Sequence, residues 1–348
     1  MNGLLSQAYL PMICLGAGAG LALMAVVLKP RAGSLASRLV GLASLMASAA
    51  ALSLQDAGAV GGGLEWGPPQ RAVALIILGC GLVTGLAGRR GLPEARMPEY
   101  VALILLSCAG LLGMTATQDF LLLFLSVEVS SICFYVLTGF LSPQPRALEA
   151  ALKYFILGSL ASAVMVLGLA LIGGSSPAVL NFRMAPGQDP ALYLPGCAAL
   201  LVGLFFKLGA APFHWWAPDA YEAAPPPAAG FMSVAPKIAA GAALLRWVER
   251  GLGPEHQMPV LGAFAAVALI SITVGNLGAL AQGGFRRFLA YSSIANAGYL
   301  LLAPLAPPGQ AWGALVLYGG AYAAMNLGAF AAADLLERWG GEGGPGPF

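Results

Sequence analysis

Lysine is the residue type whose positions in this sequence most clearly indicate chemistry. The chain of 348 residues has four lysines, and three of them, Lys153, Lys207 and Lys237, lie within stretches that otherwise read as membrane-spanning. A charged side chain at the centre of a bilayer costs about 2.5–3.5 kcal/mol on insertion scales, so such residues need a partner or a use. Glu128 lies in another apolar span and is the natural counter-charge. These four residues predict a polar, protonatable path buried among membrane helices.

Each of these residues also has a plainer interpretation. For Glu128 the alternative is a neutral carboxyl hydrogen-bonded to a neighbouring helix, because its short side chain does not reach the interface. For Lys207 and Lys237 it is a long side chain that extends to the headgroups. Lys153 follows Glu149 by four residues, the favourable helical order for an ion pair. That pair predicts either a partly submerged proton-transfer site or a surface feature.

The segment after Lys207 is polar and aromatic, and it contains helix breakers. Pro212 follows Lys207 by five residues, and Pro236 directly precedes Lys237. Proline removes a backbone donor, and carbonyls freed within a membrane need protein or a water-filled cavity to satisfy them. Broken helices beside buried charges are typical of transport sites, although a simple kink is the alternative. His214 titrates near neutral pH and is a candidate proton relay, with Asp219 in a supporting role.

The composition of the chain is that of a polytopic membrane protein. Hydrophobic residues make up 59% of the sequence and charged residues 9%, whereas a soluble domain has about 25% charged residues. The apolar runs are about 20 residues long and lack the alternation of barrel strands, which favours helices. A net charge of +2 without a basic patch gives no indication of a nucleic-acid partner. The sequence has no nucleotide-binding fingerprint and no cysteine–histidine cluster, so we expect no cofactor, metal or redox centre in this chain.

Eleven apolar spans predict an all-α fold of eleven transmembrane helices. They cover residues 8–28, 34–54, 72–88, 98–117, 119–141, 148–174, 191–213, 226–249, 258–280, 286–304 and 310–337. We group the spans into three segments followed by a tail. Residues 1–97 contain spans one to three, 98–250 contain spans four to eight, 258–337 contain spans nine to eleven, and 338–348 form a Gly/Pro-rich tail.

Basic residues in the connections predict the orientation of the helices when each connection is numbered by the span that it follows. The odd connections and their flanks hold ten basic residues, and the even ones hold four. The odd group is Lys29, Arg31, Arg38, Arg89, Arg90, Arg96, Arg146, Arg286, Arg287 and Arg338, and the even group is Arg71, Arg183, Arg246 and Arg250. Because basic loops stay in the cytoplasm, we expect the odd connections on the cytoplasmic side of the cell membrane and the N-terminus on the outer side.

Several motifs make the chain resemble a known family. The segment 207–227 reads KLGAAPFHWWAPDAYEAAPPP, close to the pattern K-x-x-x-x-P-F-H-x-W-x-P-D-x-Y-x-G-A-P-x-P. Shorter matches are LKYF at 152–155, GNL at 275–277, RFLAYSSIA at 287–295 and NLGAF at 326–330. In this order they resemble the antiporter-like membrane subunits of respiratory complex I. The context LEAALKYF at 148–155 is most similar to the subunit N group of that family.

The resemblance implies a fold, a function and partners. It implies a truncated form of a fourteen-helix antiporter-like fold with inverted five-helix repeats and a broken seventh helix. It also implies a subunit that moves protons beside other membrane subunits, while NADH, FMN, iron–sulfur clusters and quinone bind in those partner subunits. The buried glutamate of the family falls on Glu128, and the lysines of its first half-channel fall on Lys153, Lys207 and Lys237.

The chain departs from the family pattern at three places. Asn296 stands where many relatives have histidine, and asparagine cannot titrate, so we expect no proton relay there. Ala223 replaces a glycine and is expected only to stiffen the loop. Phe348 ends the chain after the eleventh span, so we expect the second broken helix to be missing, by natural shortening or because the sequence is a fragment.

The leading hypothesis is a proton-translocating membrane subunit of an NADH–quinone oxidoreductase. In it, Glu128 pairs with Lys207, and a charge change in an adjoining subunit weakens the pair. The proton then moves by way of Lys237, with His214 as a relay. One alternative is a subunit of a multi-subunit sodium/proton antiporter, or of a related membrane hydrogenase or deazaflavin-linked dehydrogenase. Another is a purely structural subunit, because the second half-channel is incomplete.

Overall fold

The computed structural model describes residues 2–28, 33–55, 59–88, 92–140, 145–175, 182, 189–307 and 309–341. The connection residues Lys29, Arg31, Arg89, Arg90 and Arg183 and the tail residues 342–348 lie outside this part. Within the described ranges, eleven helices are long and apolar enough to cross a membrane, and the chain is a multi-pass membrane protein. The expectation of an all-α fold with eleven spans is confirmed.

The elements follow the predicted order, with two additions. The helices are α1 (Asn2–Leu28), α2 (Gly33–Leu54), α3 (Pro68–Ala87), α4 (Met97–Ala116), α5 (Phe120–Thr138), α6 (Pro145–Ser175), α7 (Pro190–Leu208), α8 (Ala217–Ala223), α9 (Pro226–Gly251), α10 (Pro254–Leu280), α11 (Phe285–Leu300) and α12 (Ala311–Gly341). The additions are the short helix α8 and an antiparallel hairpin of β1 (Ala59–Gly61) and β2 (Leu64–Trp66). Helix α12 continues into the segment that was expected to be a tail.

Local sequence signals fix the ends of several helices. Proline is the first residue of five of them, α3, α6, α7, α9 and α10, where a missing N–H costs no helical hydrogen bond. The Asp119 carboxylate caps α5 by accepting from the Leu122 N–H at 2.9 Å. The Asp189 carboxylate caps α7 in the same way, accepting from the Ala191 N–H at 3.0 Å. These signals explain why the predicted spans begin close to the observed helices.

Helix α9 is the central helix of the bundle. Every residue from 226 to 248 is buried, and α9 contacts α3, α4, α5, α7, α8, α11 and α12. Pro236 lies inside α9, but the helix continues past it to Gly251, so this proline does not break the span. A membrane helix enclosed by protein on all sides can hold polar groups that lipid would not tolerate. Both Lys237 and Arg246 lie on this helix.

Helices α6 and α7 cross at a very short distance. A Cβ built on Gly168 would lie 2.6 Å from the Leu200 backbone nitrogen, and one on Gly196 would lie 2.9 Å from the Ile172 nitrogen. Glycine at both positions lets the two backbones approach, which is the usual means of packing helices in a membrane. This contact holds α7 in place and thereby positions Lys207 near its C-terminal end.

The connections gather at two ends of the bundle. We call the end with the connections after the first, third, fifth, seventh and ninth spans the odd end, and the other the even end. At the odd end, the Arg96 guanidinium donates to the Phe140 carbonyl at 2.9 Å. At the even end, the Gln118 N–H donates to the Gly63 carbonyl at 2.7 Å. The candidate residues can be placed relative to these two ends.

Candidate functional site

The seventh span is broken next to its lysine. Helix α7 ends at Leu208, because Gly209 adopts a left-handed conformation with φ of 63°, and α8 begins only at Ala217. The predicted span, which ran to residue 213, was too long by five residues. Side chains of neighbouring segments satisfy the backbone at the break. The Ala211 N–H donates to Ser271 Oγ at 2.9 Å, and Trp216 Nε1 donates to the Phe206 carbonyl at 3.1 Å.

Lys207 lies in the last turn of α7 and is 3% exposed. Its Nζ donates a hydrogen bond to Ser131 Oγ at 2.9 Å and lies 4.7 Å from the centroid of the Phe134 ring. Both partners are on α5. A hydroxyl and an aromatic face are neutral partners, so they stabilise the ammonium without neutralising it. The ammonium group of Lys207 is therefore held by two groups of α5 and lies in the interior of the bundle.

Glu128 lies near the midpoint of α5 and is half-buried. Its carboxylate accepts a hydrogen bond from Ser162 Oγ on α6. The direct Glu128–Lys207 ion pair expected from the sequence is not formed, because the ammonium is bound to Ser131, one helical turn further along α5. An internal cavity of about 10 Å³, lined among others by these two serines and Lys207, lies between the groups. That volume is about the minimum for one water molecule.

Lys237 lies next to the same break. It lies near the middle of α9, is 1% exposed, and donates from Nζ to the Ser293 carbonyl of α11 at 2.5 Å. A Cβ built on Gly209 would lie 3.9 Å from Lys237 Nζ, so the ammonium is next to the left-handed residue that ends α7. Both buried lysines thus lie at the break, and no described carboxylate forms an ion pair with either of them.

Pro236 frees the Met232 carbonyl, and side chains bind this carbonyl and the next one along α9. Proline cannot donate to the Met232 carbonyl, which instead accepts from the Tyr221 hydroxyl at 3.3 Å. The next carbonyl, that of Ser233, accepts from the Tyr322 hydroxyl at 3.1 Å. The proline therefore leaves α9 continuous but opens its backbone to polar groups from α8 and α12.

A network of uncharged polar side chains continues from Lys237 into α12. The Tyr322 hydroxyl is 3.0 Å from Ser293 Oγ, the side chain of the residue whose carbonyl binds Lys237. Asn326 Nδ2 donates to Ser233 Oγ at 2.5 Å. None of these contacts was predicted from the sequence. The only available signal was the NLGAF motif, which includes Asn326 but does not show what it contacts.

Asn296 lies one turn beyond Ser293 on α11 and is 9% exposed. Its Oδ1 accepts from the Tyr318 hydroxyl at 2.5 Å, and its Nδ2 donates to the Ser292 carbonyl at 2.8 Å. Both ends of the amide are thus occupied. This side chain holds Tyr318 in place and, as an amide, takes up no proton.

His214 lies in the break between α7 and α8 and is 5% exposed. Its ring stacks on Trp215 at 4.9 Å between centroids, and its Nδ1 has no hydrogen-bond partner among the described residues. Burial lowers the pKa of His214 below its ordinary value, and a backbone hydrogen bond at Pro212 opposes this shift only partly. The imidazole is therefore neutral at pH 7, and its role as a relay stays a prediction.

The lowered pKa of His214 predicts a specific effect of acid on stability. An unfolded chain protonates this histidine near pH 6.5, whereas the folded chain does so only at lower pH. The unfolded state then binds more protons, so stability is lost as the pH falls below about 6.5. We expect the melting temperature of the purified chain in detergent to fall less between pH 7.5 and 5.5 in His214→Gln than in the wild type. Equal losses in the two proteins would contradict the assignment.

Lys153 lies in a charged cleft at the odd end, away from the other two lysines. The cleft has a volume of about 580 Å³ and is lined by acidic and basic side chains from α6, α8 and α11. Lys153 forms ion pairs with Glu149 at 2.7 Å and Asp219 at 3.4 Å, and 51% of its side chain is exposed. Helix α6 begins at Pro145 and α8 brings a second carboxylate to the lysine, so Lys153 has two ion-pair partners, and its depth in the membrane stays a prediction. Arg287 binds the same Asp219 at 2.9 Å.

A buried arginine at the even end was missed by sequence analysis. Arg246, which was assigned to a connection, is 1% exposed and donates to the carbonyls of Ala116 at 3.0 Å and Glu65 at 3.1 Å. The Glu65 carboxylate lies 3.7 Å from Arg246 and also binds Arg250 and Gln118. The cluster joins β2, α4 and α9. Since 181 residues separate Arg246 from Glu65, no local pattern could reveal it.

Comparisons with known proteins identify the family. Residues 117–340 match the family described as NADH:quinone oxidoreductase/Mrp antiporter, TM. The NADH-quinone oxidoreductase subunit N of Salinibacter ruber is 40% identical over 279 residues, which are 78% of this chain and 55% of that relative. Subunit N of Rubrobacter xylanophilus is 38% identical over 320 residues, which are 88% of this chain and 66% of that relative.

Solved structures give the same grouping. A chain of respiratory complex I from Thermus thermophilus matches with a TM-score of 0.79 and 34% identity, covering 93% of this chain and 70% of that chain. A chain of the Mrp complex from a Dietzia species shares the fold, with 21% identity and a TM-score of 0.80. The match covers 95% of this chain and 38% of the Dietzia chain. The chain spans 55% and 66% of the length of the two curated relatives above. It belongs to the NADH:quinone oxidoreductase/Mrp antiporter transmembrane family.

Proposed function

We propose that this chain is a proton-translocating membrane subunit of an NADH–quinone oxidoreductase of the complex I type. Its partners are other membrane subunits, and NADH, FMN, iron–sulfur clusters and quinone bind elsewhere in the complex. The named relatives and the complex I chain from Thermus thermophilus support this assignment. We place the subunit in the cell membrane, with the odd end in the cytoplasm and the N-terminus outside.

The observation that carries the proposal is the pair of buried ammonium groups beside the break in the seventh span. Lys207 and Lys237 are 3% and 1% exposed, and their direct hydrogen-bond acceptors are neutral oxygens. A lysine held this way can lose its proton more easily than one paired with a carboxylate, because no adjacent negative charge holds the ammonium form. A structural role alone does not require charged groups at this depth.

The charge of Glu128 controls Lys207 at a distance in this proposal. The two groups are linked through Ser131 and a cavity with room for about one water molecule. At an effective dielectric constant of about 20, two unit charges about 4 Å apart interact by about 4 kcal/mol, and still by about 2 kcal/mol at twice that distance. That energy changes proton affinity by more than about tenfold. A proton leaving Lys207 passes through the break toward Lys237, with His214 as the nearest titratable side chain of the break.

The segment boundaries follow from this assignment. We propose that residues 1–97 form an N-terminal group of helices, that 98–250 form the first antiporter-like repeat, and that 258–337 belong to a second repeat. Helices α5, α7 and α9, which carry Glu128, Lys207 and Lys237, all fall within the first repeat. Lys153 with Glu149 and Asp219 then lies at the cytoplasmic mouth of that repeat, where it exchanges protons with water.

A tagged copy of the chain tests the proposal. The complex purified through the tag is expected to reduce quinone with NADH and, in sealed vesicles, to acidify the lumen during turnover without added sodium. The measurement is quenching of a pH-sensitive dye in parallel with NADH oxidation, with an uncoupler as the control. Isolation of a complex without quinone reductase activity would overturn the assignment.

A sodium/proton antiporter subunit is the second candidate, because the family description covers both kinds of protein and the Dietzia Mrp chain shares the fold. Measurements on the same vesicles distinguish an antiporter subunit from a subunit of the complex I type. An antiporter dissipates an imposed pH gradient when sodium is added and needs no NADH. Dye dequenching on sodium addition, in the absence of NADH, would favour this candidate.

A further inference from the structure

A narrow apolar cleft lies between α2, α3 and α4 at the odd end. Its volume is about 240 Å³, and its walls include Leu39, Leu45 and Ile104. It extends along α2 from Leu35 to Leu45, which at 1.5 Å per residue is about 15 Å, half the thickness of a hydrocarbon core. The cleft exists partly because α3 presents glycine to it. The cleft is thus a slot that opens at the headgroup level and reaches toward the bilayer centre.

One charged side chain, Arg38, lines this cleft. Its Nε is buried, and Arg38 forms no hydrogen bond or ion pair with any residue that the structure describes. Arg96 and Arg287, by contrast, are bound, Arg96 to the Phe140 carbonyl and Arg287 to Asp219. A half-buried guanidinium with an unpaired N–H loses free energy unless an acceptor from outside the chain binds it.

The two features together fit one class of ligand. A guanidinium binds phosphate with two parallel hydrogen bonds, and an apolar slot at membrane depth binds hydrocarbon. A phospholipid carries a phosphate and hydrocarbon chains in one molecule, as this lining of one arginine and apolar side chains requires. The sequence also has Lys29 and Arg31 before α2, and Arg89 and Arg90 after α3, so the connections at this end carry positive charge. We propose that the cleft binds an anionic diacyl phospholipid, with its phosphate on Arg38 and an acyl chain between α2, α3 and α4.

Native mass spectrometry of the full chain in detergent tests this binding site. Phosphatidylglycerol and phosphatidylcholine are titrated separately, and we expect the wild type to prefer the anionic lipid. Arg38→Gln is expected to weaken phosphatidylglycerol binding about fivefold, the equivalent of about 1 kcal/mol for one basic group, and to leave phosphatidylcholine binding nearly unchanged. Arg146→Gln, which removes an exposed arginine elsewhere, is expected to bind both lipids as the wild type does.

A second variant tests the hydrocarbon part without changing charge. A Cβ on Gly85 would meet no atom within 4 Å, so Gly85→Leu fills the cleft without displacing the helices and is expected to abolish binding of the retained lipid. Gly79→Leu is the matched control, since it lies on the same helix, also meets nothing within 4 Å, and does not line the cleft. Unchanged lipid preference in Arg38→Gln, unchanged binding in Gly85→Leu, or displacement of lipid by inorganic phosphate alone would each overturn the proposal.

Discussion

Lys207→Met is expected to reduce coupled proton pumping by roughly tenfold or more, because a thioether in the place of the ammonium cannot carry a proton through the dry interior. Methionine keeps most of the length and volume of the side chain, so the packing of α7 against α5 is preserved. It leaves the Ser131 hydroxyl without its donor but introduces no buried charge. The measurement is dye quenching in sealed vesicles, with NADH oxidation and the amount of assembled complex recorded on the same preparation.

The control for Lys207→Met is the neighbouring substitution Leu208→Met. Leu208 is fully buried on the same turn of α7 and carries no charge, so the substitution changes packing in the same region without removing a proton carrier. We expect this variant to pump normally. Normal pumping by Lys207→Met at normal complex levels would remove Lys207 from the pathway, whereas equal losses in both variants would indicate a packing defect.

The spans of this fold could be predicted because the bilayer sets their length. A run of about 20 apolar residues has to be helical in lipid, because a single segment there can satisfy its backbone hydrogen bonds only as a helix. The exception was the seventh span, whose end at Leu208 is determined by the left-handed Gly209 rather than by hydropathy. Hydropathy continues through the break, so it cannot show where the helix stops. The hairpin before α3 was missed for a related reason, since three residues per strand are too few for a pattern.

The candidate site was only partly predictable. Burial of Lys207 and Lys237 followed from their apolar surroundings in the sequence. The partner of Lys207 did not, because Ser131 has no feature that distinguishes it from neighbouring serines until α5 and α7 are packed together. Charge alone suggested a pair with Glu128, but distance and competing hydrogen bonds decide which groups meet. The ion pair of Lys153 with Asp219 was not predicted, because periodicity gives the face of a helix and not the charged segment, here α8, that packs against it.

Arg246→Met is expected to lower the free energy of unfolding by about 3 kcal/mol, the largest stability effect predicted for this chain. The substitution removes the donors that bind the Ala116 and Glu65 carbonyls and leaves the Glu65 carboxylate with one arginine instead of two. The hydrogen bond to the Ala116 carbonyl is buried and the one to the Glu65 carbonyl is partly buried, so water replaces these two lost donors poorly. The measurement is equilibrium unfolding of the purified chain in mixed micelles.

Arg250→Met gives the comparison that separates burial from charge. Arg250 binds the same carboxylate, with its Nη2 at 2.8 Å from Glu65 Oε1, but 45% of its side chain is exposed. An ion pair at that exposure contributes about 1 kcal/mol or less, because water screens it and solvates the carboxylate when the arginine is removed. The two arginines therefore share a partner and differ in the carbonyls that only Arg246 binds. Equal destabilisation by the two substitutions would show that the shared carboxylate, and not the buried backbone, is what Arg246 stabilises.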